Sequence, residues 1–264
     1  MRILIVVQRY GAEVVGGSES HARVVAHRLA MVNEVEVATT NALDYWSWAP
    51  YFAIGESMDG PVRVRRFAVT GVRSPTFKDA ERHVLFERHT RSDEEAWLAM
   101  QGPHTPGLLE FLRREGKTYD AILFYTYIYE PTAAGLPLVP ERAALISTAH
   151  DEEPLRLLPY RALFQLPRAF GFLTPEERDL VHARFRNEHI AVRQNIEPAR
   201  MIEVRRESSH CKAWRGHWPC SFRPAYRLGE IQRRDQRRVR RNQSGMRSIA
   251  GRFGKLCLVA AGGE

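Results

Sequence analysis

The sequence predicts an α/β fold in which a mostly parallel sheet is flanked by helices. Two observations carry that prediction. Short apolar runs alternate with segments of helical period as far as residue 192, and such alternation builds an open parallel sheet. The chain also opens on a strand, a glycine loop and a helix, the front half of a βαβ unit. Together they make the fold Rossmann-like.

The opening unit spans Met1 to Ala30. Ile3-Leu4-Ile5-Val6-Val7 is an apolar run rich in β-branched residues, as expected of a strand buried on both faces. A loop ends in Gly16-Gly17-Ser18-Glu19, and Ala22, Val25, Ala26, Leu29 and Ala30 then share one helix face. The glycines let the backbone approach a ligand, and the helix start offers N–H groups and the positive dipole end. Ser18 is the expected N-cap. The loop is neither Gly-x-Gly-x-x-Gly nor a P-loop, which argues against a dinucleotide or nucleoside-triphosphate site. Gly16 and Gly17 otherwise serve a tight turn.

Further along, Glu34–Thr40 alternates as a strand, and Val62–Val69 alternates apolar and charged, as an edge or one-face-exposed strand would. Asp59-Gly60 before it signals a turn. Pro75 to Met100 is polar and helical without a clear register, and Pro106 to Arg114 is a short helix. Tyr119–Tyr125 and Ala143–Ala149 are buried strands, with a short helix at Pro131–Leu136 between them. Ala169–Leu173 leads into a helix capped by Thr174, with Pro175 in its first turn and Glu177 as capping-box partner. His189–Val192 is the last strand. Ligands of such sheets bind beyond the carboxyl ends of the strands. That rule selects the loop from Gln8 to Glu19, the segment after Tyr125, and His150-Asp151.

The chain has 264 residues and a formal net charge of +8. Residues 1–199 hold 23 Lys+Arg against 26 Asp+Glu, and residues 200–264 hold 16 against 5. All three cysteines, Cys211, Cys220 and Cys257, lie in the basic part. No apolar run approaches a membrane span, and the N-terminal run is too short for a signal-peptide core. The expected location is the cytoplasm.

The order of these motifs resembles the N-terminal, acceptor-side domain of a GT-B glycosyltransferase of retaining family four. The resemblance rests on Gly16-Gly17-Ser18-Glu19, on Thr148-Ala149-His150-Asp151-Glu152-Glu153-Pro154 and on Phe172-Leu173-Thr174-Pro175-Glu176-Glu177-Arg178, and covers residues 1–197. It implies transfer of a sugar from a nucleotide-sugar donor, as substrate and without a cofactor or metal, to a sugar-bearing acceptor. Gly16 and Gly17 would bring N–H groups to donor phosphates or acceptor. His150 would hydrogen-bond the transferred sugar, with Asp151 beside it, since developing charge needs fixed dipoles. Alternatively His150 is a core or strand-end histidine and Asp151 a cap. Tyr45, Trp46 and Trp48 either form a sugar-stacking wall or pack a long loop onto the sheet. Glu19 either reaches an acceptor hydroxyl or complements the helix start.

The family's second, donor-binding domain has no counterpart in residues 198–264. Gly251-Arg252-Phe253-Gly254-Lys255 only echoes its Gly-Arg…Lys-Gly segment, and Glu203 and Glu230 lack a glutamate eight residues on. The arginine run from Arg233 to Arg241 reads as a solvated or disordered tail. Its arginines suit an acidic membrane surface and, as the weaker alternative, nucleic acid. His210, Cys211, His217 and Cys220 lack zinc-knuckle spacing. The abrupt change in composition is also that of an out-of-frame translation. The expectation is a truncated glycosyltransferase, inactive alone unless a partner supplies the donor half. The rival expectations are a non-catalytic sugar- or nucleotide-binding module and a nucleic-acid-associated protein.

Overall fold

The computed structural model describes residues 1–194. The tail 198–264, with its arginine run, cysteines and glycine echo, lies outside the described residues.

Eight strands form one sheet: β1 (Arg2–Val6), β2 (Glu34–Thr40), β3 (Gly55–Asp59), β4 (Val62–Phe67), β5 (Ala121–Tyr125), β6 (Ala143–Ile146), β7 (Ala169–Phe172) and β8 (Ala191–Gln194). Their order is β3-β4-β2-β1-β5-β6-β7-β8. Every neighbouring pair is parallel except β3 with β4. The predicted Rossmann-like α/β fold is therefore the fold observed. The helices are α1 (Gly17–Leu29), α2 (Phe77–Phe86), α3 (Arg91–Gln101), α4 (Pro106–Glu115), α5 (Glu130–Ala133), α6 (Leu158–Leu163) and α7 (Pro175–Phe185).

The opening apolar run is continuous because β1 feeds two cores. Ile3, Ile5 and Val7 pack with Ala22, Val25 and Ala26 of α1. Leu4 and Val6 turn to the other face, against Leu108, Phe111 and Leu112 of α4. From β1 the chain winds outward to β2 and β4, then returns to pair β5 on the opposite side of β1. The strand order thus reverses between β1 and β5, the topological switch point where doubly wound sheets open a ligand crevice.

Several local expectations are corrected. β2 alternates Val and Glu, yet it is covered on both faces: buried Glu36 accepts from Arg65 at 2.8 Å and from the Tyr119 hydroxyl at 2.7 Å. A paired buried carboxylate mimics a solvent-facing one in sequence. Of the two readings of β4 the edge is excluded, because β3 covers it through a turn at Gly60, whose φ is +59°, while buried Val62 and Val64 alternating with exposed Arg63 and half-buried Arg65 give the one-face pattern. Gly-Glu-Ser-Met-Asp carries no β-branched residue and is almost wholly exposed, so β3 leaves no hydrophobic signal. The helical stretch from Pro75 splits at Thr90, which forms a capping box with Asp93 to start α3.

Ser18 is not the N-cap of α1; Gly16 is, with no side-chain cap. Thr174 does cap α7, its hydroxyl accepting from the Glu177 N–H. Glu177 leaves the capping box, however. Its buried carboxylate takes the Ser147 hydroxyl at 2.6 Å and the N–H groups of Ala149 and Leu173 at 2.9 and 2.8 Å. It thereby ties the carboxyl ends of β6 and β7 together. Among the described residues no helix is long and apolar enough to cross a membrane.

Candidate functional site

The loop after β1 brings the start of α1 to the switch point. It is held from below by Glu19, which is buried. Glu19 Oε1 accepts from Gln8 Nε2 and Arg9 Nε, each at 2.9 Å, and Oε2 accepts from the Ser18 hydroxyl at 2.8 Å. Arg9 also reaches the carbonyls of Leu43 and Val15. Glu19 is therefore engaged inside the protein, in the first turn of α1, where its charge complements the helix start, the second of the two expectations.

The two glycines differ. A Cβ on Gly16 would fall 2.2 Å from Glu19 Oε2 and 3.1 Å from Arg9 Nη2. A Cβ on Gly17 would meet nothing within 4 Å. Gly16 is small because its own fold crowds it. Gly17 opens onto free space at the first turn of α1, where N–H groups lack intrahelical partners. One turn on, His21 Nδ1 lies 3.1 Å from the Tyr125 hydroxyl and links α1 to the end of β5 across the switch point.

The neighbouring strand ends are strained. Thr126, just after β5, has φ +62°, and Thr148, just beyond β6, has φ +51°. β-Branched residues avoid this region, and each instance costs roughly 1–3 kcal/mol. The two hydroxyls are 3.2 Å apart, Thr148 donating to Thr126. Nothing in the sequence marks these threonines, since φ leaves no compositional trace here. His150 and Asp151 come directly after Ala149 and are exposed. The His150 ring makes no hydrogen bond to a described residue, while its carbonyl accepts from the Glu152 N–H at 2.9 Å. His150 is thus neither a core histidine nor one bonded to a carbonyl. Behind it the Tyr127 hydroxyl donates to Glu152 at 2.9 Å. Burial, with the Glu152 charge adding, pushes that phenol far above its ordinary value.

The aromatic loop separates into two parts. Tyr45 and Trp46 stand together with ring centroids 4.5 Å apart, Trp46 is 60% exposed, and the Arg9 guanidinium lies over Tyr45. Trp48 is buried, donates its indole N–H to the Gln101 carbonyl at 2.9 Å and meets Tyr129 edge-on. It anchors the loop and offers no face to a sugar, which corrects its place in the expected wall. Asp44 shapes the turn between them. Burial opposes its charge, but the N–H groups of Ser47 and Trp46 and the Ser47 hydroxyl outweigh that and hold it below the usual carboxylate range.

Beside Trp46 lies a hollow of about 310 Å³ lined by Trp46, Ser47, Arg73, Ser74, Phe77 and Lys78. Tyr129 packs against Trp48 behind the loop. Burial pushes the Tyr129 phenol up, the Glu19 charge adds, and Arg73 and Arg9 oppose. Among the described residues no cluster of three or more His, Cys, Asp or Glu could hold a metal ion.

No protein-family model matches the chain, and no curated protein matches it. Among solved structures, it is similar to trehalose-6-phosphate from E. coli bound with UDP-2-fluoro glucose, at 13% identity and TM-score 0.42, over 83% of this chain and 52% of that one. It is similar to sucrose-phosphate synthase from Thermosynechococcus elongatus at 12% identity and TM-score 0.44, over 73% and 47%. It is similar to the catalytic domain of starch synthase IV from Arabidopsis thaliana, bound to ADP and acarbose, at 13% identity and TM-score 0.37, over 73% and 50%. The chain spans about half the length of these structures. Its own fold class rests on its strand order and pairing.

Proposed function

We propose that residues 1–197 are the acceptor-side domain of a GT-B glycosyltransferase of retaining family four, which moves a sugar from a nucleotide-sugar donor to a carbohydrate-bearing acceptor. The observation that carries this reading is the open approach to Gly17 at the switch point, with exposed His150 at the end of a nearby strand. The first N–H groups of α1 and the dipole behind them suit a phosphate or hydroxyl oxygen. His150 hydrogen-bonds the transferred sugar, Asp151 sits beside it, and the Tyr45–Trp46 pair gives an apolar face to a pyranose ring. The donor nucleotide is held by a second domain, and these residues alone bind without turning over. The reaction takes place in the cytoplasm and needs no cofactor.

Saturation-transfer NMR with a panel of mono- and disaccharides and nucleotide sugars tests this reading. Binding should weaken about tenfold in His150→Ala and in Gly17→Val, the loss of one or two good hydrogen bonds. Melting temperatures should stay near wild type, because His150 is exposed and Gly17 has room. Equal affinity in all three proteins, or no carbohydrate binding, would exclude a sugar site at the switch point. Sugar transfer on adding a separately expressed donor domain would distinguish an enzyme half from a non-catalytic module.

A further inference from the structure

The hollow beside Trp46 holds a cation that its own surroundings leave without a counter-ion. Arg73 is half-buried, and no carboxylate lies within ion-pair distance of it among the described residues. One terminal nitrogen, Nη2, donates to the carbonyl and the side-chain oxygen of Gln101 at 2.9 and 3.1 Å. Its Nε is buried without a hydrogen-bond partner. The guanidinium is steered by two rings, 4.3 Å from the Phe77 centroid and 5.2 Å from that of Trp48. Burial works against its charge and lowers its pKa, with more distant Tyr129, Glu81 and Asp44 only partly offsetting this. Folding therefore retains a partly desolvated cation, a costly arrangement unless something pairs with it.

The other groups around the hollow are nearly spoken for. Lys78 pairs with Glu81 at 2.6 Å, and Asp44 is occupied by the N–H groups of its own turn. Trp46, 60% exposed, lines the hollow as well, with the Tyr45 ring 4.5 Å from its own and the Lys78 ammonium 5.9 Å from its centroid. Ser47 and Ser74 line it too, their hydroxyls engaged with Asp44 and Thr76, and the first turn of α2, whose N-cap Thr76 makes no side-chain cap, borders the same space. An unpaired guanidinium next to an aromatic platform fits a ligand with an anionic group on an apolar, hydroxyl-bearing ring. A hollow of about 310 Å³ admits one such ring.

We propose that this hollow is a subsite for an anionic monosaccharide unit, a hexose phosphate or a hexuronate, with Arg73 as the counter-ion and Trp46 as the stacking face. This deepens the acceptor-side reading by giving the acceptor its chemical class, and it rests on that reading. The test measures binding by the full-length chain without donor or transfer, so a failure of sugar transfer leaves it intact.

Isothermal titration with glucose 6-phosphate, glucuronate, glucose and inorganic phosphate decides it. At least one anionic sugar should bind about tenfold or more tightly than glucose and than phosphate alone, the gain of a charge-assisted pair plus a ring face. Preference for the phosphate or the carboxylate sugar distinguishes the two sources of the anion. Trp46→Ala should weaken that binding about tenfold. The substitution is on an exposed side chain, so the melting temperature should hold. Arg73→Gln should abolish the preference for the anion, and Arg73→Lys should restore part of it. Equal binding of glucose and anionic sugars overturns the proposal, as does binding of phosphate as tight as that of the sugars. So does unchanged affinity in Trp46→Ala, or no binding by any of the four.

Discussion

At the scale of single residues, adjacent Gly16 and Gly17 have different reasons to be glycine. Gly16 sits over the buried Arg9–Glu19 pair, and a methyl there must displace a carboxylate held by three side chains. Gly16→Ala should cost about 1–3 kcal/mol, the usual effect of overpacking, and should lower the melting temperature. Gly17→Ala should stay within about 0.5 kcal/mol of wild type, because its added methyl meets nothing. It should still weaken any ligand that approaches the start of α1. Thermal denaturation of both variants, with sugar binding as a second readout, checks the contrast. If Gly17→Ala is the more destabilised, Gly17 is a structural glycine and the approach is not kept open for a ligand. A glycine pair reads the same in sequence whichever reason applies. The tryptophans pose the same problem. Trp46 and Trp48 differ only in that a positive φ and the distant Gln101 carbonyl draw one of them inward. No local pattern records a partner 53 residues away.

At the scale of elements, the β3–β4 hairpin is fastened to α1 by Asp59. Its carboxylate accepts from Arg23 through two nitrogens at 2.7 and 2.8 Å and lies 2.8 Å from His27 Nε2. The Arg23 hydrogen bond, against some burial and with His27 adding, holds the Asp59 pKa well below the usual carboxylate range. A carboxylate depressed on folding contributes stability above its unfolded value, near 3.9, and loses it as pH falls toward the folded value. Asp59→Asn should therefore melt lower than wild type at neutral pH, and the gap should close as pH drops below about 4. The effect is modest, because the group is partly exposed and screened. Parallel melting profiles from pH 7 to pH 2 would show that the fastening carries no linked charge. β3 itself is not visible in the sequence, though the Asp59-Gly60 turn is. A hairpin held by polar contacts and backbone pairing lacks the hydrophobic period that reveals β1, β5, β6 and β7. The helix α7 is an intermediate case: its Thr174-Pro175 start is readable, but the use of Glu177 to join two strand ends depends on Ser147 and Ala149, some thirty residues earlier.

At the scale of the whole molecule, both large cores are built from residues between Met1 and Ile190, and every described strand ends by Gln194. The order of strands is legible because each inner strand is an apolar run bounded by turns, while the switch point comes from which pairs are parallel. The charge of the chain is distributed in the opposite sense. Residues 1–199 are slightly acidic, and the cationic excess lies in residues 200–264. Stability and basicity should then be separable by deletion. A protein ending at residue 197 should keep the α/β circular dichroism and the melting temperature of the full chain. It should lose attraction to anionic vesicles, which for the full chain should fall steeply as salt is raised from about 50 to 200 mM, the range over which counterion-driven contacts weaken. Co-sedimentation with vesicles of graded phosphatidylserine content measures the second property. A marked drop in melting temperature on deletion would mean that the sheet depends on residues 198–264 for its stability. Equal vesicle binding by both proteins would move the basic surface into the sheet domain, to the cations around Trp46.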